Sequence, residues 1–289
     1  MKQIKRVIKS SINSIFRFMY ETKCPPRMKE IDRERIERGL VDLFGSEHII
    51  RVHISEEEFK KFEYDHKNLN TVYDKHWRRY KRKISEYLMV DKILDFASLN
   101  NNSYVYMDMM ASSSPWAKSL SERYGIRTHA VDIQEPPMVT SVFMRADVTK
   151  LPLDGETVNA MSVQSGIELL PDSGDTDFVL EAERVLKPGG KLIISPVYIY
   201  KEPATLFGRS YYADGQPEEG ARKYMRLDYD LPFTRLYSVE SLKHRLLDKT
   251  QNGQWSIYHI TADKPIELCD KKDPFIYLRY ILVFENEQL

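Results

Sequence analysis

Ala182-Glu183-Arg184-Val185-Leu186-Lys187-Pro188-Gly189-Gly190-Lys191-Leu192-Ile193-Ile194 is the stretch whose reading decides the fold. Val185 and Leu186 close the apolar face of a helix. Pro188 cannot continue that helix and biases Lys187 away from the helical region. Gly189 and Gly190 give the backbone the freedom a reversal needs. Leu192, Ile193 and Ile194 then form a short continuous apolar run, as expected of a strand buried on both faces. Helix, tight turn and buried strand in this order are the joint of an α/β protein.

The surrounding pattern agrees. Residues 104–109, 127–132, 142–146, 158–163 and 191–196 read as strands. Residues 115–124 and 175–186 read as helices between them. Such alternation with short joints argues for a parallel sheet covered by helices on both faces. A helix over 239–247 and two last strands over 255–260 and 275–284 follow. The connection 197–237 is long for a compact domain, and connections of that size are usually functional. Before residue 100 the texture is mainly helical. Ile36, Leu40, Leu43 and Phe44 mark a helix ended by Gly45, and 49–54 reads as a short strand. Ser55 and Glu58 form an N-terminal capping box for the next helix.

Composition bounds the function. The 289 residues contain 43 Lys plus Arg and 43 Asp plus Glu, so no global charge favours nucleic acid. Cys24 and Cys269 make no disulfide framework, and no Cys/His spacing suggests a metal site. A reducing cytoplasm is the expected compartment. No run of about 18 apolar residues predicts a membrane span. Residues 1–22 differ from the rest. Ile4, Val7, Ile8, Ile12, Ile15, Phe16 and Met19 recur at helical spacing among Lys2, Lys5, Arg6, Lys9 and Arg17. This basic amphipathic helix suits either an anionic membrane surface or packing on the domain or a second subunit.

The ends of the strands carry the candidate chemistry, because ligands of doubly wound sheets bind there. The first strand of the alternating region ends in Asp108, followed by Ala111, Ser112, Ser113 and Ser114. These small residues let a ligand approach, and Pro115 fits a helix start whose N-terminus attracts anions. The alternative is that Ser114 only caps the helix. The second strand ends in Asp132, beside Ile133, where an acid can accept hydrogen bonds from a ribose diol. The missing glycines argue against a dinucleotide fingerprint.

Together with the Lys187-Pro188-Gly189-Gly190 turn, these segments resemble class I S-adenosylmethionine (SAM)-dependent methyltransferases over about residues 100–196. The Ala111-to-Trp116 loop and Phe233-Thr234-Arg235-Leu236-Tyr237-Ser238 also look similar to proteins of bacterial surface-polysaccharide clusters. The resemblance implies a doubly wound, mostly parallel seven-stranded α/β sheet with helices on both faces, a final antiparallel strand and a helical N-terminal extension. It implies a mainly helical cap over 23–99 and a SAM-binding domain over 100–289 with an insertion at 197–237. It also implies SAM as cofactor, with Asp108, Ala111, Ser112, Ser113, Asp132, Ile133, Asp147, Val148 and Gln164 around it. Asp147 would meet the adenine amine, and the Val148 N–H a ring nitrogen. Glu168 would be a base or an acceptor contact. His66, His76 and Trp77 lie on helices that often cover this site in the family, whereas a strand position makes His129 a packing residue. Tyr198, Tyr200, Arg209, Tyr211 and Tyr212 would line the acceptor side. The expected acceptor is a hydroxyl or amine of a small molecule or saccharide, without nucleic acid, at the inner face of the membrane if residues 1–20 bind lipid. Loss of the loop glycines also fits a methyltransferase fold that binds without catalysing.

Overall fold

The computed structural model describes residues 33–71, 80–99, 103–136, 140–207, 219–225, 233–264, 266, 268 and 277–287. Seven helices are described: α1 (Arg33–Phe44), α2 (Glu56–Asp65), α3 (Tyr80–Leu94), α4 (Phe96–Leu99), α5 (Trp116–Tyr124), α6 (Gly174–Val185) and α7 (Val239–Arg245). Eight strands form the main sheet: β1 (Ile49–Ile54), β2 (Val105–Met109), β3 (Arg127–Asp132), β4 (Phe143–Arg145), β5 (Val158–Gln164), β6 (Leu186–Ser195), β10 (Gly253–Ala262) and β11 (Tyr280–Asn286). Three more, β7 (Ala204–Phe207), β8 (Arg222–Met225) and β9 (Phe233–Leu236), form a separate small sheet within the insertion.

The main sheet runs β1-β10-β11-β6-β5-β2-β3-β4. From β6 to β4 all pairs are parallel, and β11 is antiparallel to both its neighbours. The order reverses between β2 and β5, which creates the crevice where ligands of such sheets sit. Seven of these strands are the doubly wound set expected from the sequence. The eighth is β1, which pairs parallel with β10 at the edge, Ile49 opposite Ile257 and Ile54 opposite Ala262.

Both faces of the sheet are covered, and strand alternation decides which residue goes where. On β6, Leu192 and Ile194 join one core with Ile36 and Leu40 of α1 and with Phe178 and Val185 of α6. Ile193 faces the other core, with Phe59 of α2, Ile84 and Tyr87 of α3, and Trp116 of α5. Each fully buried aliphatic side chain of this kind contributes about 1.5–3 kcal/mol.

The joint at 186–191 is tighter than a free turn. Residues 187–190 form a bulge on β6: Val158 pairs with Leu186, and Ala160 with Lys191. Gly189 sits at φ +73°, and a Cβ on Gly190 would lie 2.7 Å from the Lys187 carbonyl and 3.1 Å from that of Asn159. Ser55 does cap α2, its hydroxyl accepting from the Glu58 N–H at 3.1 Å. The Glu58 carboxylate instead reaches Lys92 on α3 at 2.6 Å, so the cap is one-sided. The last strand begins at Tyr280 and ends at Asn286, later than 275–284 as read from the sequence. No helix among the described residues is long and apolar enough to cross a membrane.

Candidate active site

Asp108, at the end of β2, is buried at the crevice. Its Oδ2 accepts from the Ser114 hydroxyl at 2.8 Å and its Oδ1 from the Gln164 amide at 3.4 Å. Burial raises its carboxyl to about 6, while Lys83 and these hydrogen bonds pull the other way. Ser114 does more than begin α5. Its hydroxyl joins the Tyr87 hydroxyl at 2.9 Å and accepts from the Trp116 N–H at 3.3 Å.

The loop after β2 is bent without glycine. Met110 and Ser112 both have left-handed backbone, at φ +54° and +47°. A side chain there costs of order 1–2 kcal/mol, and such strain collects at functional sites. Two bonds hold the bend: the Ala111 N–H donates to the Val131 carbonyl at 3.0 Å, and the Ser112 N–H to Asp132 Oδ2 at 2.8 Å. Ala111 is buried against Ala117 and Ala130, while Ser112 and Ser113 are exposed.

Asp132 ends β3, and its other oxygen accepts from the Gln134 N–H at 2.9 Å. Next to it Ile133 is 58% exposed, an apolar side chain left open at the rim. Asp147 follows β4. One of its oxygens accepts from both the N–H and the hydroxyl of Thr149, at 2.9 and 2.7 Å, which sets the turn. Val148 is buried in the core beside it. Asp108, Asp132 and Asp147 thus stand at or just past the ends of three adjacent strands.

Beyond β5, Ser165 is again left-handed at φ +58°, and a 3-10 turn over Ile167–Leu169 carries Glu168. Glu168 is 3% exposed, and its Oε2 is buried without a partner among the described residues. Burial lifts its carboxyl to about 7; a hydrogen bond from its own backbone N–H lowers it, Glu86 raises it further, and Arg82 and Lys83 oppose it. Gln164 Oε1 and Ser195 Oγ, at the ends of β5 and β6, are likewise buried without partners among the described residues.

Sequence reasoning misses three residues of this site: Arg82, Lys83 and Glu86, all buried on α3. Glu86 accepts from Lys83 at 3.0 Å and from the Ser165 hydroxyl at 3.3 Å, and pairs with Arg82 at 3.2 Å. Lys83 also donates to the Gln164 carbonyl at 3.3 Å and lies 5.0 Å from the Tyr87 ring centre. The one available signal is three charges at i, i+1 and i+4 inside a helix rich in Tyr, Ile and Leu.

The insertion joins the same cluster. Tyr198 is buried, and its hydroxyl accepts from Arg82 at 2.9 Å. Tyr200 packs in the small core formed with Leu206, Tyr224 and Leu236. Both are therefore inner walls of the insertion, not open aromatic faces. Arg209, Tyr211, Tyr212, His76, Trp77 and residues 1–22 lie outside the described residues. His66 is buried against Phe62 with ring centres 4.1 Å apart, and burial lowers it to about 4. His129 is half-buried within β3 and lowered for the same reason. No group of three His, Cys, Asp or Glu among the described residues could hold a metal ion.

Residues 95–194 match the family described as a methyltransferase domain. A search of curated proteins returns no match. Among solved structures, the chain is similar to 1,6-didemethyltoxoflavin-N1-methyltransferase of Burkholderia thailandensis, at 13% identity and TM-score 0.44, covering 80% of this chain and 87% of that one. It is similar to a SAM-dependent methyltransferase of Methanosarcina mazei, at 13% identity and TM-score 0.40, covering 68% and 97%. It is also similar to geranyl diphosphate C-methyltransferase of Streptomyces coelicolor, at 13% identity and TM-score 0.36, covering 75% and 88%. Residues 95–194 thus match a methyltransferase domain, and they form the parallel part of a doubly wound sheet.

Proposed function

We propose that this chain moves the methyl group of SAM to a hydroxyl or amine acceptor, and that the acceptor is a saccharide or saccharide-linked carrier. The observation that carries the transfer is the row of acids at the strand ends: Asp108, Asp132 and Asp147 on one side of the crevice, and Glu168 beyond β5. The residues fit the cofactor. Gln164 Oε1, Glu168 Oε2 and Ser195 Oγ are orphaned buried polar atoms at the crevice, and the Met110–Ser112 bend brings backbone close to it. Asp108, Ala111, Ser112, Ser113 and Gln164 would hold the amino-acid part. Asp132 would hold the ribose, with Ile133, Asp147 and Val148 around the adenine.

Bound there, SAM supplies an electrophilic methyl on a sulfonium. The protein must align the acceptor and remove its proton. Glu168 suits the proton removal, because a carboxyl raised by burial is a stronger base than an exposed one once it ionises. The insertion 197–237 follows β6 at the carboxyl edge, and we read it as the acceptor lid. The polar, ring-shaped acceptor is proposed from Arg209, Tyr211 and Tyr212 of the sequence, since Tyr198, Tyr200, Tyr224 and Tyr237 pack inward. Residues 23–99 act as a cap over the SAM domain 100–289. Residues 1–20 add a peripheral contact with anionic lipid at the inner face of the membrane, which would place the enzyme in the cytoplasm.

Calorimetry with SAM tests the assignment. Asp132→Ala is expected to weaken binding at least about tenfold, since losing a charge-assisted bond costs more than about 1.4 kcal/mol. An unchanged Kd in a folded variant would remove Asp132 from the site. Transfer of a labelled methyl to a panel of saccharides, with small amines as the counter-panel, tests the acceptor class.

A further inference from the structure

Three carboxyls and two cations share one buried region above the ends of β2 and β5: Glu86, Asp108 and Glu168 with Arg82 and Lys83. If every carboxyl were ionised, the group would be one negative charge in excess, and an uncompensated buried charge is costly. The contacts show where the imbalance falls. Glu86 receives Lys83, Arg82 and the Ser165 hydroxyl. Asp108 receives Ser114 and Gln164. Glu168 Oε2 has no partner among the described residues, and the carboxyl takes a hydrogen bond from its own backbone. The groups that face it are Arg82, Lys83 and Glu86 from α3. Tyr198, from the insertion, accepts from Arg82 at 2.9 Å.

We propose that Glu168 holds a proton while the site lacks the sulfonium charge of the methyl donor, and gives it up when that charge arrives. The inference rests on the methyl-transfer reading above. SAM adds one positive charge beyond its zwitterionic amino-acid part, whereas S-adenosylhomocysteine is a neutral thioether and adds none. The base is thereby ionised only when the donor is in place. The charge of the region then stays constant through transfer. The sulfur–methyl bond breaks with its electron pair returning to sulfur, the acceptor oxygen or nitrogen bonds to the methyl, and the acceptor's proton passes to Glu168. Arg82, Lys83 and Glu86 are positioning residues in this scheme, since they set the charge Glu168 experiences.

Calorimetric titration of the full chain with SAM, and separately with S-adenosylhomocysteine, reads the protons released when repeated in buffers of different ionisation enthalpy. At about pH 6.5, SAM is expected to release roughly half a proton more than S-adenosylhomocysteine. In the wild type the SAM preference over S-adenosylhomocysteine should rise with pH, by at most about tenfold per unit, and level off above about 7. Glu168→Gln should bind both ligands and abolish the difference. Equal proton release for the two ligands, a flat preference across pH, or a difference retained in a folded Glu168→Gln protein would each overturn the proposal. The wild-type pH series decides the matter if the variant does not fold. Failure of both ligands to bind would overturn the methyl-transfer reading itself.

Discussion

Ser112 shows how single residues shape this site. In the sequence, the small side chains after Asp108 suggest close approach to a ligand, and the missing glycines are a departure from the family. The backbone resolves the two: Met110 and Ser112 take the left-handed conformation that glycine would adopt without strain. Ser112→Gly is therefore expected to change stability by no more than about 1 kcal/mol, because relief of strain offsets the added freedom of the unfolded chain. Ser112→Val, β-branched at positive φ, should destabilise by about 1–2 kcal/mol. Urea unfolding of both variants measures this. Glu168 makes a second residue-scale case. Its carboxyl is raised from 4.5 to about 7, so the folded state prefers the protonated form. The stability this preference contributes is fully present below about 4.5 and is lost as pH rises through about 7. Over that window the loss is on the order of 3 kcal/mol. Glu168→Gln should flatten that decline, which unfolding free energies measured across pH would show. A parallel decline in both proteins would place the titration elsewhere.

At the scale of elements, the sheet is legible in the sequence and the charged face of α3 is not. Strand positions follow from apolar runs and turn residues that are local in sequence, so β2, β3, β5 and β6 lie within a residue or two of their expected places, apart from the start of β6. There the strand begins at Leu186 and absorbs the glycine turn as a bulge, because Leu186 still pairs with Val158. The strand-end acids Asp108 and Asp132 are legible for the same local reason. Lys83 and Glu86 act through Gln164 and Ser165, some eighty residues away, and no local pattern encodes that pairing. The insertion gives a similar lesson. Its tyrosines suggest an exposed lining, yet Tyr237 is buried and donates to Asp175 at 2.8 Å. Asp175 also receives Arg235 of β9 at 3.0 Å and Arg245 of α7 at 2.9 Å. This clamp ties the last strand of the small sheet to the start of α6, beside the segment that carries Glu168. Arg235 further donates to the Leu170 and Asp172 carbonyls, both at 3.0 Å. Asp175→Ala would leave a buried guanidinium uncompensated, a loss of about 3–5 kcal/mol. Its unfolding midpoint in urea should fall well below that of Asp175→Asn, which keeps the shape and part of the hydrogen bonding. Equal midpoints would mean that the clamp's charge contributes little.

At the scale of the whole molecule, the residues before 95 and the segment 95–194 share one sheet. The family match begins at residue 95, yet β1 extends the sheet beyond β10, and α1, α2 and α3 complete the two cores. Removing residues 1–94 would uncover the edge of β10 and strip Phe59, Phe62, Ile84, Tyr87 and Leu88 from one core. At about 1.5–3 kcal/mol for each buried side chain, the loss exceeds the net stability of an ordinary domain. A chain of residues 95–289 is accordingly expected to be insoluble or unfolded by circular dichroism. It would also lack Arg82, Lys83 and Glu86 at the site. Removing residues 1–20 is a different experiment. These residues precede every element that touches the crevice, and their basic amphipathic pattern suits a surface. The shortened protein is expected to bind S-adenosylhomocysteine within about threefold of the full chain, a difference of roughly 0.7 kcal/mol. It should also lose co-sedimentation with vesicles containing anionic lipid, while neither form pellets with neutral vesicles. Pelleting that falls as salt rises would identify the basic residues as the source of the attraction. Equal pelleting of both forms would instead assign the amphipathic face to packing on the domain or on a second copy, and a collapse of S-adenosylhomocysteine affinity would place residues 1–20 in the cofactor site.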